Sequence, residues 1–298
     1  MDGLIQNKED EMLREKESLL KANKRTVASM DLVSFEATGL LVFKGNVFTK
    51  VYKISRKGKI RLCKEESEEF NFKFFYISAE GNTYLNYLSV SICIDSYNEA
   101  KEKFEDFESR YELIPMEFDY IMNQILEIRD KEYDFSLTEF IHKKYDLVEF
   151  LEKEEKGVET SFVYQEIELN VYPNGCQSKI LNLLRKMELP YILMIEKEMI
   201  SEEEFKGISR NLEKMYYKAP IYEEGYAYGK IRLLIFSLDE ETLNIASNTV
   251  VERFMEEGFI AAKKPIGDKA SYRYMTSFGL IGSSTNTVVN VSTLHAFI

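Results

Sequence analysis

The residues that could do chemistry are few in this sequence, and they do not converge on a motif. The two histidines, His142 and His295, cannot form the usual zinc ligand sets, and no Asp or Glu completes a diagnostic zinc motif with them. No GxSxG elbow marks a nucleophilic serine. The acidic runs at 65–66 and 202–204 are typical of solvated faces, whereas paired catalytic carboxylates must face each other from separate elements. We therefore expect no catalytic residue, no cofactor and no metal site in this chain.

One stretch has the small residues of a phosphate-binding loop. The segment 279–286, GLIGSSTN, could point backbone amides at an anion. It lacks the Gly-Lys-Ser/Thr core in which lysine neutralises the phosphates, and no helical pattern follows to supply a positive end. We interpret it as a flexible connection rather than a nucleotide site.

The three cysteines, Cys63, Cys93 and Cys176, are far apart and include no CxxC pair. An odd number with this spacing disfavours a zinc site and a disulfide framework, and reduced thiols favour a cytoplasmic protein. Cys93 falls in the apolar run from Leu88 to Ile94, so we expect it in the core.

Composition limits the classes of partner. A hydrophobic content of 45% predicts a packed core, and 298 residues are typical of two domains. The net charge of −12 argues against direct binding of nucleic acid, which needs Lys and Arg to displace counterions. No segment approaches the ~18 consecutive apolar residues of a membrane span, and the N-terminus lacks a signal peptide's order. We expect contact with a membrane only through partners.

Hydrophobic periodicity and capping boxes predict the elements. Sparse apolar residues near heptad spacing predict an amphipathic helical arm at 4–25. Apolar or alternating segments predict strands at 32–35, 40–43, 47–54, 87–94, 162–172, 189–195 and 231–236. Helices are predicted at 96–111, 115–131, 136–153, 177–187, 201–217 and 239–257, with a loop at 218–229.

This order predicts a mixed α/β (α+β) protein of two α/β sandwich units, with a helical insert and the N-terminal helical arm. The polar stretch 152–157 ends in glycine and marks the boundary. The expected domains are 1–29 for the arm, 30–156 for the first unit with its insert, and 157–298 for the second unit. A strand, a capping residue and a helix recur near 87–111 and 231–257, which favours two equivalent halves of a duplicated fold.

Tyrosines crowd the predicted loop before the strand at 231–236. Exposed tyrosines favour protein contacts because they join apolar area to a polar tip. The expected partner surface consists of Tyr216, Tyr217, Tyr222, Tyr226 and Tyr228. Packing at the edge of the core is an equal alternative for these side chains.

The last seventy residues have a recognisable order. The strand Ile231–Phe236 precedes a helix that begins at DEETL and ends at Gly258-Phe259. A short hairpin, the segment SYRYMTSFG at 271–279 and the segment NVSTLHAFI at 290–298 follow. This order resembles the N-terminal domain of the conjugation-motor ATPases of bacterial type IV secretion systems, the Vir-B-four-like family. The hairpin at 31–54 is similar to that family's opening, so the resemblance spans most of 30–298.

The resemblance implies a regulatory and docking domain at the inner face of the cytoplasmic membrane. Its partners would be protein subunits of the secretion channel and neighbouring copies of the chain. No ATPase residue carries over, because the family's Walker motifs begin further along the chain than this sequence extends.

The apolar end of the chain, with Leu294, Phe297 and Ile298, is typical of a polypeptide interrupted before a further domain. A small terminal element docked on the core is the alternative. The second functional hypothesis is a stand-alone structural or interaction protein of a mobile element or phage. A reading frame that continues into a P-loop would separate the two hypotheses.

Overall fold

The structure is a computed structural model. It describes residues 25–27, 32–54, 69–79, 83–129, 135–143, 150, 162–172, 184, 186, 189–198, 200, 204, 226–282, 284–291 and 294. The predicted helices at 4–25, 177–187 and 201–217 lie outside these residues, apart from isolated positions. The mixed α/β class is confirmed, because a large antiparallel sheet is combined with helices.

Eleven strands are present among the described residues. They are β1 (Arg25–Val27), β2 (Leu32–Phe35), β3 (Leu41–Phe43), β4 (Val47–Ile54), β5 (Asn71–Ala79), β6 (Thr83–Cys93), β7 (Val163–Val171), β8 (Tyr191–Glu198), β9 (Tyr226–Ser237), β10 (Ile260–Lys263) and β11 (Ser284–Asn290). The helices in the same part of the chain are α1 (Tyr97–Tyr111), α2 (Phe118–Ile128), α3 (Leu137–Lys143), α4 (Glu240–Glu256) and α5 (Lys269–Thr276).

The strands form one sheet in the order β2-β3-β4-β6-β5-β8-β9. The far edge of β9 is shared: its first residues pair with β11, and its last residues pair with β7. The sheet then continues from β7 to β10 and from β11 to β1. The pairing of β5 with β8 carries the sheet across the predicted domain boundary without a break.

Two hydrophobic cores lie on opposite faces of the sheet. On the first face, Phe104 and Phe107 of α1 and Val250 and Phe254 of α4 pack on the strands. On the second face α2, α3 and α5 cover the sheet. Strand side chains alternate between the two cores, as the two-residue period of a strand requires.

The two halves of the sheet are related by a local two-fold axis. In the first half Val90 of β6 lies between Lys50 and Phe72. In the second half Leu233 of β9 lies in the same way between Ile167 and Leu193. The same register relates β4 to β7 and β5 to β8.

The strand β6 runs into α1 and the strand β9 runs into α4. Ser96 caps α1 by accepting a hydrogen bond from the Glu99 amide at 3.3 Å, and Asp239 caps α4 through the Thr242 amide at 2.8 Å. The two N-caps occupy equivalent positions, so α1 and α4 begin at equivalent points of the two halves. The arrangement agrees with the duplication expected from the sequence.

The segment after each helix returns to the sheet in an equivalent place. Pro115 bridges to Tyr52 of β4, and Ala261 of β10 pairs with Leu169 of β7. The axis passes between Phe74 and Ile195, which pair at the centre of the sheet. The halves are therefore joined through their inner strands, and their outer strands lie at the two ends.

Several local expectations need correction. The helix expected from residue 115 begins at Phe118, because Pro115 and Met116 are held beside β4. Cys93 is exposed rather than in the core, since β6 ends there beside the turn at Gly45. The predicted loop at 218–229 is strand from Tyr226 onward.

The glycine-rich stretch at 279–286 is also more ordered than a flexible connection. Gly279 and Gly282 have φ angles of 66° and 104°, which turn the chain after α5. Ser284 then begins β11, and residues 284–286 pair with β1.

Candidate functional site

The predicted tyrosine surface is only partly described. Tyr216, Tyr217 and Tyr222 lie outside the described residues. Tyr228 is buried in β9 and packs with Ile200 and Val288, and Tyr226 is half-buried beside the same small cluster. Among the described tyrosines of this set, the arrangement is packing at the edge of the core.

A cluster of buried charges lies on the second face of the second half. Arg232 of β9 is central to it, with Nη1 at 2.8 Å from Glu166 Oε1 and 3.5 Å from Glu168 Oε2. Its Nε lies 3.5 Å from Glu196 Oε2. Lys230 donates to Asn170 Oδ1 at 2.8 Å. We call these residues the charge cluster.

The cluster follows from the register of the strands. Glu168 pairs with Arg232 across β7 and β9, and Glu196 pairs with Lys230 across β8 and β9. Lys73 of β5 pairs in turn with Glu196. Opposite charges therefore stand side by side on one face of four neighbouring strands.

Helix α5 and the turn after it close the charge cluster from above. The Tyr274 hydroxyl donates to Glu196, and the Arg232 guanidinium lies 5.7 Å from the centre of the Tyr274 ring. Lys73 Nζ donates to the carbonyl of Gly279 at 2.8 Å. Tyr274 and Gly279 thus form part of the cover of this site.

Electrostatics favour the charged forms of Glu168 and Arg232. Burial alone would raise the pKa of Glu168, but Lys230, Arg232 and Lys264 outweigh burial and lower it. Burial alone would lower the pKa of Arg232, but Glu166 and Glu196 raise it instead. This is the chemistry of a structural ion cluster, in which each acid faces a cation.

The pKa of Lys73, in contrast, is shifted so that the charged form is disfavoured. Burial lowers the pKa of its ammonium, and the attraction of Glu196 and Glu198 offsets this only in part. The first half of the molecule has no equivalent cluster among its described residues: Thr49 and Ser89 stand where the second half has Glu166 and Arg232. The charges are therefore a specialisation of the second half.

A second specialisation consists of exposed apolar residues on α4 and directly before its N-cap. Leu238, Ile245 and Met255 are 77%, 62% and 62% exposed. We call these three side chains the α4 patch. When the two halves are aligned through their helix caps, the equivalent residues of the first half are all acidic: Asp95, Glu102 and Glu112.

This contrast separates the α4 patch from ordinary surface variation. Both helices cover the same face of the sheet, and both bury an apolar stripe. Single exposed apolar residues are common on protein surfaces, but here three of them stand at positions where the other half of the repeat has three acids. Such a surface is suited to contact with another protein.

An open pocket of about 570 Å³ lies in the first half, beside the end of β4 and the start of α2. Its lining is Lys53, Ile54, Ile114, Pro115, Met116, Glu117 and Tyr120. The backbone of this wall is fixed, because the Met116 amide donates to Val51 at 2.8 Å and the Phe118 amide donates to Ala37 at 3.1 Å.

The sequence analysis did not predict the charge cluster or the α4 patch. In the sequence, the charge cluster appears only as two pairs of like charges, each pair two residues apart. Glu166 and Glu168 form the acidic pair in one strand, and Lys230 and Arg232 form the basic pair in another. Their meeting depends on a register that the sequence does not reveal. The α4 patch could have been found by aligning the two capped helices, because Ile245 then falls opposite Glu102.

Comparison with known proteins gives no family. No protein-family model matches the chain, and no curated protein matches it significantly. In the part of the chain that the structure describes, no helix is both long and apolar enough to cross a bilayer. The same residues contain no group of three or more side chains placed to hold a metal ion.

Proposed function

We propose that this chain is a non-catalytic docking and oligomerisation domain of a conjugative type IV secretion ATPase. Its partners are protein subunits of the membrane channel and neighbouring copies of the motor. It works at the inner face of the cytoplasmic membrane and binds neither cofactor nor nucleic acid itself. The proposal starts from the order of elements in residues 231–298, which resembles the N-terminal domain of those motors.

The α4 patch is the observation that carries the docking role. It lies within the segment of the resemblance, on the outward side of a helix whose inner side is anchored in the core. Exposed apolar side chains become buried in the core of a protein interface, while charged residues around them form the rim. The surrounding Glu241 and Glu252 are exposed and fit that description.

The charge cluster supports the same role indirectly. Its ion pairs and the α5 cover tie β7, β8 and β9 of the second half to each other and to β5 of the first half. A helix mounted on a sheet of this kind presents its surface in a fixed orientation, which lowers the entropic cost of binding.

The proposal is tested by measuring the frequency of conjugal DNA transfer from cells that carry the gene for this chain. The double variant Ile245→Glu with Met255→Glu gives the α4 patch the acidic character of α1. Transfer should fall by at least about tenfold, the effect of losing one or two interface anchors. The control Glu102→Lys changes an exposed residue of α1 and should transfer normally. Normal transfer by the double variant, at wild-type abundance of the protein, would refute the docking role.

A further inference from the structure

One side of α4 combines an exposed aliphatic side chain with two exposed acids. Glu241 lies four residues before Ile245, and Glu252 lies seven residues after it, so all three are on the same side of the helix. Each of these side chains is exposed. We call the three residues the α4 stripe. A segment that complements this stripe has an apolar side chain between two cations.

The acids of the α4 stripe are not neutralised by the described part of the chain. Residues 239–257 include six acids and one base. That base, Arg253, pairs with Glu256 at 2.5 Å. No cation of the described residues forms an ion pair with Glu241 or Glu252. The negative charge of the stripe is therefore open to a cationic partner.

The residues before β1 have the complementary pattern in their sequence. Residues 14–24, which we call the basic segment, contain four bases and two acids in a chain whose net charge is −12. They lie outside the described residues. In the helix predicted there from the sequence, Lys16, Leu20 and Lys24 share one side, because residues four apart are neighbours on a helix. The basic segment thus has one leucine between two lysines, and the α4 stripe has one isoleucine between two glutamates.

The position of β1 favours a basic segment from another copy of the chain. The strand β1 begins beside the part of β11 that lies level with Gly229. From that level β9 runs about 26 Å to Ser237, and α4 returns about 9 Å to Ile245, on the far side of a helix about 10 Å across. Leu20 is five residues before β1, and five residues span at most about 18 Å. The basic segment of the same chain therefore falls short of the stripe.

We infer that the α4 stripe of one copy binds the basic segment of a second copy. Leu20 packs on Ile245, and Lys16 and Lys24 pair with the two glutamates. Because each copy has both the stripe and the segment, every copy can bind a further one. The inference deepens the proposed docking function by naming one partner of α4, and it rests on that function for the role of Ile245 in protein contact.

Self-association of the purified full chain tests this inference, measured by analytical ultracentrifugation over a series of concentrations. The wild type should associate as its concentration rises. One variant reverses the basic segment with Lys16→Glu and Lys24→Glu, and another reverses the α4 stripe with Glu241→Lys and Glu252→Lys. Each should weaken self-association by at least about tenfold, because two attractions become repulsions.

A mixture of the two variants separates this contact from a general effect of charge. Each variant alone has like charges on the segment and the stripe, but the mixture restores opposite charges between copies. The mixture should therefore associate nearly as tightly as the wild type. The control Glu99→Lys with Glu102→Lys makes the same charge change on α1, again with one position in the first turn, and should associate normally. Failure of the mixture to associate would overturn the inference.

A wild type that stays monomeric at every concentration would also overturn the inference, whether the stripe is then open or covered by its own chain. This outcome is distinct from failure of the proposed function. Monomeric protein in which DNA transfer still depends on Ile245 would refute the contact between copies and leave docking on another protein standing.

Discussion

Arg232 shows how a single residue can hold together strands from distant parts of the sequence. It is almost fully buried, and its guanidinium reaches Glu166, Glu168 and Glu196 on two neighbouring strands. A buried ion pair gives little net stability compared with a well-packed apolar core, but removing one partner leaves the others uncompensated. Loss of Arg232 would remove a cation from three buried or partly buried carboxylates at once.

Arg232→Met should lower the free energy of unfolding by about 3–5 kcal/mol, because the carboxylates lose their shared cation inside the protein. Urea denaturation followed by circular dichroism measures this. The control Arg253→Met removes a cation that pairs with Glu256 at the surface of α4, and it should cost less than about 1 kcal/mol. Equal effects for the two variants would contradict the structural role of the cluster.

Glu168 makes stability depend on pH. Its pKa in the folded protein is lowered from the ordinary value of 4.5, so its contribution is complete above that value and is lost as the pH falls through the folded pKa. Glu168→Gln should therefore be less stable than the wild type at neutral pH, and the difference should shrink in acid. Denaturation at a series of pH values tests this. A difference between Glu168→Gln and the wild type that stays constant with pH would exclude the effect.

At the level of elements, the two capped helices carry the main difference between the halves. Both follow a long strand, and both bury one side in the first core. The two halves differ at three equivalent exposed positions, which are acidic at α1 and apolar at α4, and this difference is the basis of the proposed docking function. The caps matter because they fix where each helix begins and therefore which residues face outward.

Asp239→Ala should lower the free energy of unfolding by about 0.5–2 kcal/mol, because the side chain satisfies an amide at the start of α4. Ser96→Ala is a matched control on α1 and should cost less, since the Ser96 bond is 3.3 Å long against 2.8 Å for Asp239. Chemical denaturation compares the two. A larger loss for the Ser96 variant would show that cap geometry does not set these contributions.

Local signals predicted the helices α1 and α4 and the strands β4, β7 and β9 from the sequence, although β9 begins earlier than expected. These elements could be predicted because their capping residues and apolar periodicity are local features of the sequence. The central strand β5 was not recognised as a separate strand. Phe72 and Phe74 face one core while Phe75 and Ile77 face the other, so polar and apolar residues do not alternate along it.

The candidate sites were harder to predict than the elements. The tyrosine surface was inferred from composition, and composition does not distinguish an exposed tyrosine from Tyr228, which is buried with Ile200 and Val288. The pocket beside Ile114 lies between the end of β4 and the start of α2. Only the return of the chain at Pro115 brings those segments together.

At the level of the whole molecule, the local two-fold axis explains the architecture. Two units of three strands and a helix meet at β5 and β8, and their helices lie on the same side. Additional elements then make the halves different: β2 and β3 extend one end, while β1, β10 and β11 extend the other. A duplicated scaffold provides its own internal reference, because each specialised residue can be compared with its equivalent.

The most direct test of the account uses this reference inside cells. A photo-crosslinking amino acid is placed at Ile245 in one variant and at the equivalent Glu102 in another, in cells that carry the complete transfer apparatus. We predict a covalent adduct with a protein of that apparatus, or with another copy of the chain, from position 245 and not from position 102. Absence of an adduct at position 245, or equal adducts from both positions, would contradict the docking role.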